Sequence, residues 1–247
     1  MNIGLYQSAA SLSALERWQD AVSQNITSGQ VTGYRKRTVE FSAQADGEIN
    51  VPDDTSSDGG MPALFPKASN GISFLGGDTK PTGRDLDIAI QGDGFFQVQT
   101  PDGAQVYTRD GEFSVRADRT IVNTAGDELM SDSGQPIVLS ANGGKIMVNA
   151  DGTISQGETP VGRVGVQSFV NMQGLVPVAG GMFMDNGTAG ATPVDHPNLL
   201  QGYTEASNVT PMREMVDMVV ISRAYEANQK IIKTTDEQMQ KTLDALG

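Results

Sequence analysis

The sequence predicts an α+β fold in which long N- and C-terminal helices pair as a coiled coil and bracket a central all-β domain. Three observations carry that expectation. Residues 212–246 contain neither Gly nor Pro; apolar side chains spaced by three and four run along both ends of the chain; between them the period changes to two, with turn residues at short intervals. Spacing by three and four is the coiled-coil period, whereas alternation belongs to strands.

At the N-terminus, Leu5, Ser8, Leu12, Leu15, Gln19, Val22 and Ile26 form such a seam, with five of the seven apolar. The helix is expected to fade by Ser28-Gly29, before a turn at Thr32-Gly33-Tyr34 and the basic Arg35-Lys36-Arg37. Trp18, the only Trp, stands one residue off the seam and reads as a packing residue. Residues 42–84 are dense in breakers, including Pro52-Asp53-Asp54, Ser56-Ser57-Asp58-Gly59-Gly60 and Gly76-Gly77-Asp78, and read as an extended linker. Asp53, Asp54 and Asp58 do not have the spacing of an EF-hand loop.

From Asp85 the chain alternates. Leu86, Ile88 and Ile90 are followed by a turn at Gly92-Asp93-Gly94, by Phe95-Phe96-Gln97-Val98, and by Pro101-Asp102-Gly103. Further short strands are expected around 106–108, 112–115, 120–122, 137–139, 146–148 and 162–169, ending near Phe183 with a loop through Pro193, His196 and Pro197. At the C-terminus, Thr210 suits an N-cap and Pro211 the first helical position. About 35 helical residues extend roughly 50 Å at 1.5 Å per residue. The C-terminal seam passes through Met215, Met218, Ser222, Tyr225, Gln229, Ile232, Asp236, Met239, Leu243 and Leu246, seven of them apolar. A helix this long needs a partner, although periodicity alone does not separate a partner in the same chain from one in another subunit. The readings divide the chain into 1–37 (N-terminal helix), 38–84 (linker), 85–200 (β-rich domain) and 201–247 (C-terminal segment and helix).

Composition excludes several classes. With no Cys, disulfides, thiolate metal sites and thiol catalysis are ruled out, and the single His, His196, argues against His-based metal sites and Ser-His relays. A net charge of −13 argues against nucleic acid. That charge is concentrated in the middle, where eight basic residues face twenty-two acidic ones, while both ends are near neutral. No apolar run reaches membrane-spanning length, and a cleavable signal is not expected. Asp85/Asp87 and Asp110/Glu112 have the i, i+2 spacing of a strand-borne acid pair, but each sits beside a turn, where Asp serves its own backbone. No catalytic, cofactor or metal site is expected.

Gly202-Tyr203-Thr204-Glu205-Ala206-Ser207-Asn208-Val209, with Glu214-Met215-Val216-Asp217-Met218 and Arg223-Ala224-Tyr225-Glu226-Ala227-Asn228-Gln229-Lys230, resembles the C-terminal signature of the bacterial flagellar rod and hook proteins. Gly92–Val98 and Tyr107–Phe113 resemble the β-domain blocks of that family. Asn25 and Thr32-Gly33-Tyr34-Arg35 fit its N-terminal motif, although Asn25-Ile26-Thr27-Ser28 departs from the usual Asn-Leu-Ala-Asn run. The length resembles the proximal and distal rod proteins rather than the larger hook subunit.

The resemblance implies a non-enzymatic structural subunit of the basal-body rod in the periplasm. Such subunits are exported unfolded by the flagellar type III apparatus and stacked helically into a hollow shaft that transmits torque from motor to hook. Its terminal helices would form the inner tube and its β domain the outer layer. Implied partners are copies of itself, other rod and hook proteins, the export apparatus and the surrounding bushing rings, with no nucleic acid, membrane insertion or cofactor. The expected assembly residues are Leu12, Leu15, Val22, Ile26, Asn208, Met215, Met218, Tyr225, Ile232, Met239 and Leu243, with Asn208 shaping the entry to the last helix. A secreted β-rich adhesin or lectin oligomerised by its terminal helices is the alternative, and a carbohydrate-active enzyme using the paired acids a third class.

Overall fold

The computed structural model describes residues 3–49, 61–141 and 143–246. The breaker clusters at 52–54 and 56–60 lie outside them. The chain forms two compact units.

The first unit holds residues 1–26, 37–71 and 210–247. Its elements are helix α1 (Ile3–Ser28, through Ile26), strands β1 (Arg37–Ile49) and β2 (Met61–Ile72), and helix α2 (Pro211–Leu246). α2 opens with a bond from the Glu214 N–H to the Thr210 carbonyl at 3.2 Å. β1 and β2 make a two-stranded sheet by themselves, and the sequence reading placed no strand there. Two strands alone are marginal in water, and this ribbon is supported by α1. Arg17 donates to the Ala68 carbonyl at 2.9 Å, Gln7 donates to that of Leu64 at 3.0 Å, and Trp18 stacks edge-on against Phe41 at 5.6 Å.

The expected coiled-coil pairing of the terminal helices is not what forms. A coiled coil closes its seam by inserting each apolar knob between side chains of the partner. Here two open hollows lie along the helices instead. One of about 370 Å³ is lined by Gln19, Met218, Ser222, Tyr225 and Glu226, and one of about 220 Å³ by residues including Leu15, Phe41, Pro66 and Ala224. Met215 and Met239, both seam positions, are 52% and 41% exposed. Among the described residues, the buried positions of α2 are Glu214 and Ile221. Its sheltered face therefore runs through Glu214, Met218, Ile221, Tyr225, Asn228 and Ile232, rotated from the predicted seam and carrying polar groups. The α+β class stands without the coiled coil.

The second unit holds residues 27–36 and 72–209. Its strands are β3 (Thr79–Pro81), β4 (Ile88–Gln91), β5 (Phe95–Gln99), β6 (Gln105–Thr108), β7 (Phe113–Val115), β8 (Ile121–Asn123), β9 (Glu128–Leu129), β10 (Ile146–Val148), β11 (Thr153–Gln156), β12 (Thr159–Arg163), β13 (Val166–Phe169), β14 (Leu175–Pro177), β15 (Phe183–Asp185), β16 (Ala191–Pro193), β17 (Asn198–Gln201) and β18 (Tyr203–Glu205). A nine-stranded sheet runs β14-β15-β6-β5-β9-β8-β7, with β13 beside β5 and β16 beside β13. The stretch expected as a loop after Phe183 contains β16 and β17, and β18 follows in the C-terminal segment. The last two return to pair antiparallel with β4 and β3, closing the unit on itself.

Two apolar clusters fill this unit. Ile88, Phe96, Val98, Phe113, Ile121 and Leu129 belong to the larger one, and Phe95, Tyr107, Phe169, Leu175 and Phe183 to the smaller. Alternation explains the split. Phe95 and Phe96 are neighbours on β5 and so face opposite sides of the sheet, one into each cluster.

Candidate assembly surface and its polar junctions

In the first unit one buried amide joins three segments. Asn25, fully buried, accepts the Arg37 N–H and donates to the Arg37 carbonyl, both at 2.8 Å, capping the start of β1 as a neighbouring strand would. Its amide also donates to Oε2 of Glu214 at 2.9 Å. Glu214 is 1% exposed, so the carboxylate depends on its donors there. The junction thus ties α1, the base of the β1–β2 ribbon and the first turn of α2.

A second junction lies in the other unit. Glu205, the last residue of β18, accepts from Arg35 Nη1 at 2.6 Å, from Arg109 Nη1 at 3.1 Å and from the Gly77 N–H at 2.8 Å. Arg109 also donates to the Ile90 and Gly92 carbonyls and lies over the Phe95 ring at 5.4 Å. Burial lowers the pKa of the Arg109 guanidinium from its ordinary value, and Glu205 opposes that shift. Two buried cations share one carboxylate, and Nε of each Arg finds no hydrogen-bond partner among the described residues. Gly33 makes the close approach possible: its φ is +69°, and a Cβ there would stand 2.3 Å from the Arg109 carbonyl carbon.

Asn208 completes this second junction. It accepts the Lys36 N–H at 2.6 Å and donates to the Ser73 and Leu75 carbonyls at 3.0 and 2.9 Å. It is therefore a three-way clasp between backbone segments.

Of the acid pairs, Asp110 serves the backbone. Its Oδ1 accepts the Glu112 N–H at 3.0 Å, while Glu112 accepts the Thr32 hydroxyl at 2.6 Å. Burial raises the Asp110 carboxyl to about 6; the Glu112 N–H opposes the rise, and the Glu112 and Asp87 charges add to it. Because the folded value exceeds the unfolded one, the native state binds the extra proton, and this contribution to stability falls as pH rises from about 4 through about 6. Asp110→Asn is expected to be more stable than the parent at pH 7.5, by on the order of 1–3 kcal/mol, and to lose that advantage by pH 4. Urea midpoints of both proteins at the two pH values check this, and a pH-independent difference would contradict it. His196 is exposed on its loop.

The outer side of α2 carries exposed apolar side chains near its start. Met212, Met215, Val216, Val219 and Val220 are 47–73% exposed. At 100° per residue, Met212, Val216 and Val219 stand opposite the face containing Glu214, Met218, Ile221 and Tyr225. Contiguous exposed apolar side chains on a soluble protein mark an interaction surface.

Comparison with known proteins agrees with this architecture. The model of the flagellar hook protein FlgE/F/G D1 domain matches residues 89–156, and that of the flagellar basal body rod FlgEFG protein C-terminal region matches residues 200–245. The flagellar basal-body rod protein FlgF of Caulobacter vibrioides is 30% identical over 249 residues, spanning 100% of this chain and 99% of the relative. The chain belongs to the flagellar basal-body rod protein family. FlgF of Mesorhizobium japonicum is 29% identical over 259 residues, covering 100% of this chain and 99% of the relative. FlgG of Buchnera aphidicola subsp. Baizongia pistaciae is 35% identical over 178 residues, 67% of this chain and 66% of the relative. The protein is accordingly a structural rod subunit of the flagellar basal body, and the adhesin reading has no support.

Within this rod subunit, the residues named from sequence are distributed unevenly. Leu15 and Val22 are buried in the first unit; Leu12, Ile26, Met218, Tyr225 and Ile232 are half-buried; Met215 and Met239 are exposed. The side chain of Leu243 lies outside those described. Sequence reasoning missed Glu214, the Arg35–Glu205–Arg109 junction and the outer stripe. A charged residue one place from an apolar seam was the available signal for Glu214.

Proposed function

We propose that the subunit polymerises helically into the hollow shaft that carries torque from motor to hook, and that α1 and α2 supply the contacts between neighbouring copies. The supporting observation is that α2 is apolar on two opposed sides, one sheltered within its own unit and the other open. A helix apolar on both sides is stable only where both are covered. Leu12, Leu15, Val22, Ile26, Met218, Tyr225 and Ile232 stiffen the packing around the helices, Met215 and Met239 meet neighbours, and Asn208 holds the segment that leads into α2. Partners are further copies, other rod and hook proteins, the type III export apparatus and the bushing rings of the periplasmic span. The role is mechanical and includes no catalysis, nucleic acid or membrane insertion.

Val216→Asp combined with Val219→Asp tests this. Both side chains are exposed, so the isolated subunit should keep its melting temperature, within the roughly ±0.5 kcal/mol typical of surface changes. Assembly would bury two unpaired carboxylates, and rods should be absent or truncated. Complete rods containing the double variant would contradict the proposal.

A further inference from the structure

We propose that Asp87, Asp110 and Glu112 form a proton-linked clasp on residues 27–36, the stretch that leads from the end of α1 to β1. The clasp holds that stretch against the rest of the second unit in mild acid and loosens it as pH rises. It is a property of the single chain and does not depend on the rod-subunit reading.

Three carboxylates meet where the stretch docks. Asp87 and Glu112 bridge across antiparallel backbone, and Asp110 Oδ1 accepts the Glu112 N–H. Asp87 and Asp110 are buried and Glu112 is half-buried. Thr124, which follows β8, directs its hydroxyl to Asp110 Oδ2 at 3.4 Å. The cation beside the group is Arg84, whose Nε lies 3.4 Å from Asp87 Oδ1 on a side chain 57% exposed, so water screens it. Asp87 Oδ1 has no hydrogen-bond donor among the described residues. Arg109, next to Asp110 in sequence, is engaged by Glu205 and by the Ile90 and Gly92 carbonyls.

The stretch grips this cluster at two adjacent residues. The Thr32 hydroxyl donates to Glu112 at 2.6 Å. Gly33 lies so close to the Arg109–Asp110 peptide that a Cβ on it would stand 2.4 Å from the Asp110 nitrogen. Its N–H donates to the Glu205 carbonyl at 2.7 Å. Lifting the stretch away would break the Thr32–Glu112 bond and return Asp110 toward water. Burial holds the Asp110 carboxyl at about 6 in the closed state, with the Glu112 and Asp87 charges adding to the rise. The closed state therefore keeps a proton that the open state gives up. Closure is strongest below the ordinary carboxylate range and weakens as pH rises through about 6.

Amide exchange followed by NMR on the full chain, corrected for the intrinsic pH dependence of exchange, tests the clasp. Gly33 reports opening of the stretch. Gln97, whose N–H donates to the Gly165 carbonyl, reports unfolding of the whole unit. Gly33 protection should be up to about tenfold higher at pH 5 than at pH 7.5 and insensitive to low urea. Asp110→Asn should give equal protection at both pH values, and the parent's own pH series decides even if that variant misfolds. Gly33 protection that stays constant with pH in the parent would overturn the proposal. So would a change that follows Gln97 and falls with urea, because the proton would then act on the unit as a whole. A pH dependence retained in Asp110→Asn would remove the proton from this cluster. Protection restored at pH 7.5 by added calcium would overturn the proton as the neutralising charge.

Discussion

Glu205→Gln is expected to be among the most destabilising single changes in the second unit, costing about 3–5 kcal/mol, because it takes from two buried guanidiniums the carboxylate they share. Arg35 and Arg109 converge on this one carboxylate, at 2.6 and 3.1 Å. Removing an Arg has a different consequence. Arg35→Met leaves a one-to-one pair between Arg109 and Glu205, and the Met stem fills part of the vacated volume. The cost should be less than half that of Glu205→Gln. Guanidinium unfolding of the full chain, followed by the near-ultraviolet signal of its aromatic cluster, measures both. Equal costs would show that the junction acts through packing rather than charge.

Asn25→Asp should be the second large effect, and its comparison with Asn25→Ala carries the information. Asn25→Ala deletes the bonds to the Arg37 backbone and to Glu214 and leaves buried polar groups short of partners, each worth about 1–3 kcal/mol. Asn25→Asp keeps an acceptor for the Arg37 N–H, yet sets a carboxylate against the Arg37 carbonyl and the Glu214 carboxylate. It should therefore be the worse of the two despite closer isosterism. Hydrogen exchange of α1 amides and the melting temperature report both effects. A milder Asn25→Asp would show that the junction is not built on the donated bonds.

What was legible in the sequence follows the range of the interactions involved. The helix over 211–246 was readable because Pro211 opens it and no later residue breaks it. Strands β4, β5, β6, β7, β8, β10 and β13 were readable, since period-two patterning and Gly-Asp turns are local signals, whereas β16 and β17 fell where a loop was expected because they are held by partners distant in sequence. The β1–β2 ribbon was not. Pro62, Pro66 and Gly71 fall within β2, and the support comes from α1, far away in sequence. The coiled coil failed for a related reason. Met215 fits an apolar seam better than Glu214 does, but Glu214 is buried because Asn25, 189 residues away, receives it. Family motifs pointed to Asn25, Asn208 and Gly33 by position, while their physical work became visible only when the segments they join were brought together.

The most direct measurement for the central claim is electron microscopy of basal bodies from source cells lacking this gene, with the gene restored as control. A structural rod subunit predicts rods that are absent or stop short, with full length regained on restoration. The stopping point would also place the subunit along the shaft. Complete, torque-bearing rods in its absence would contradict the account.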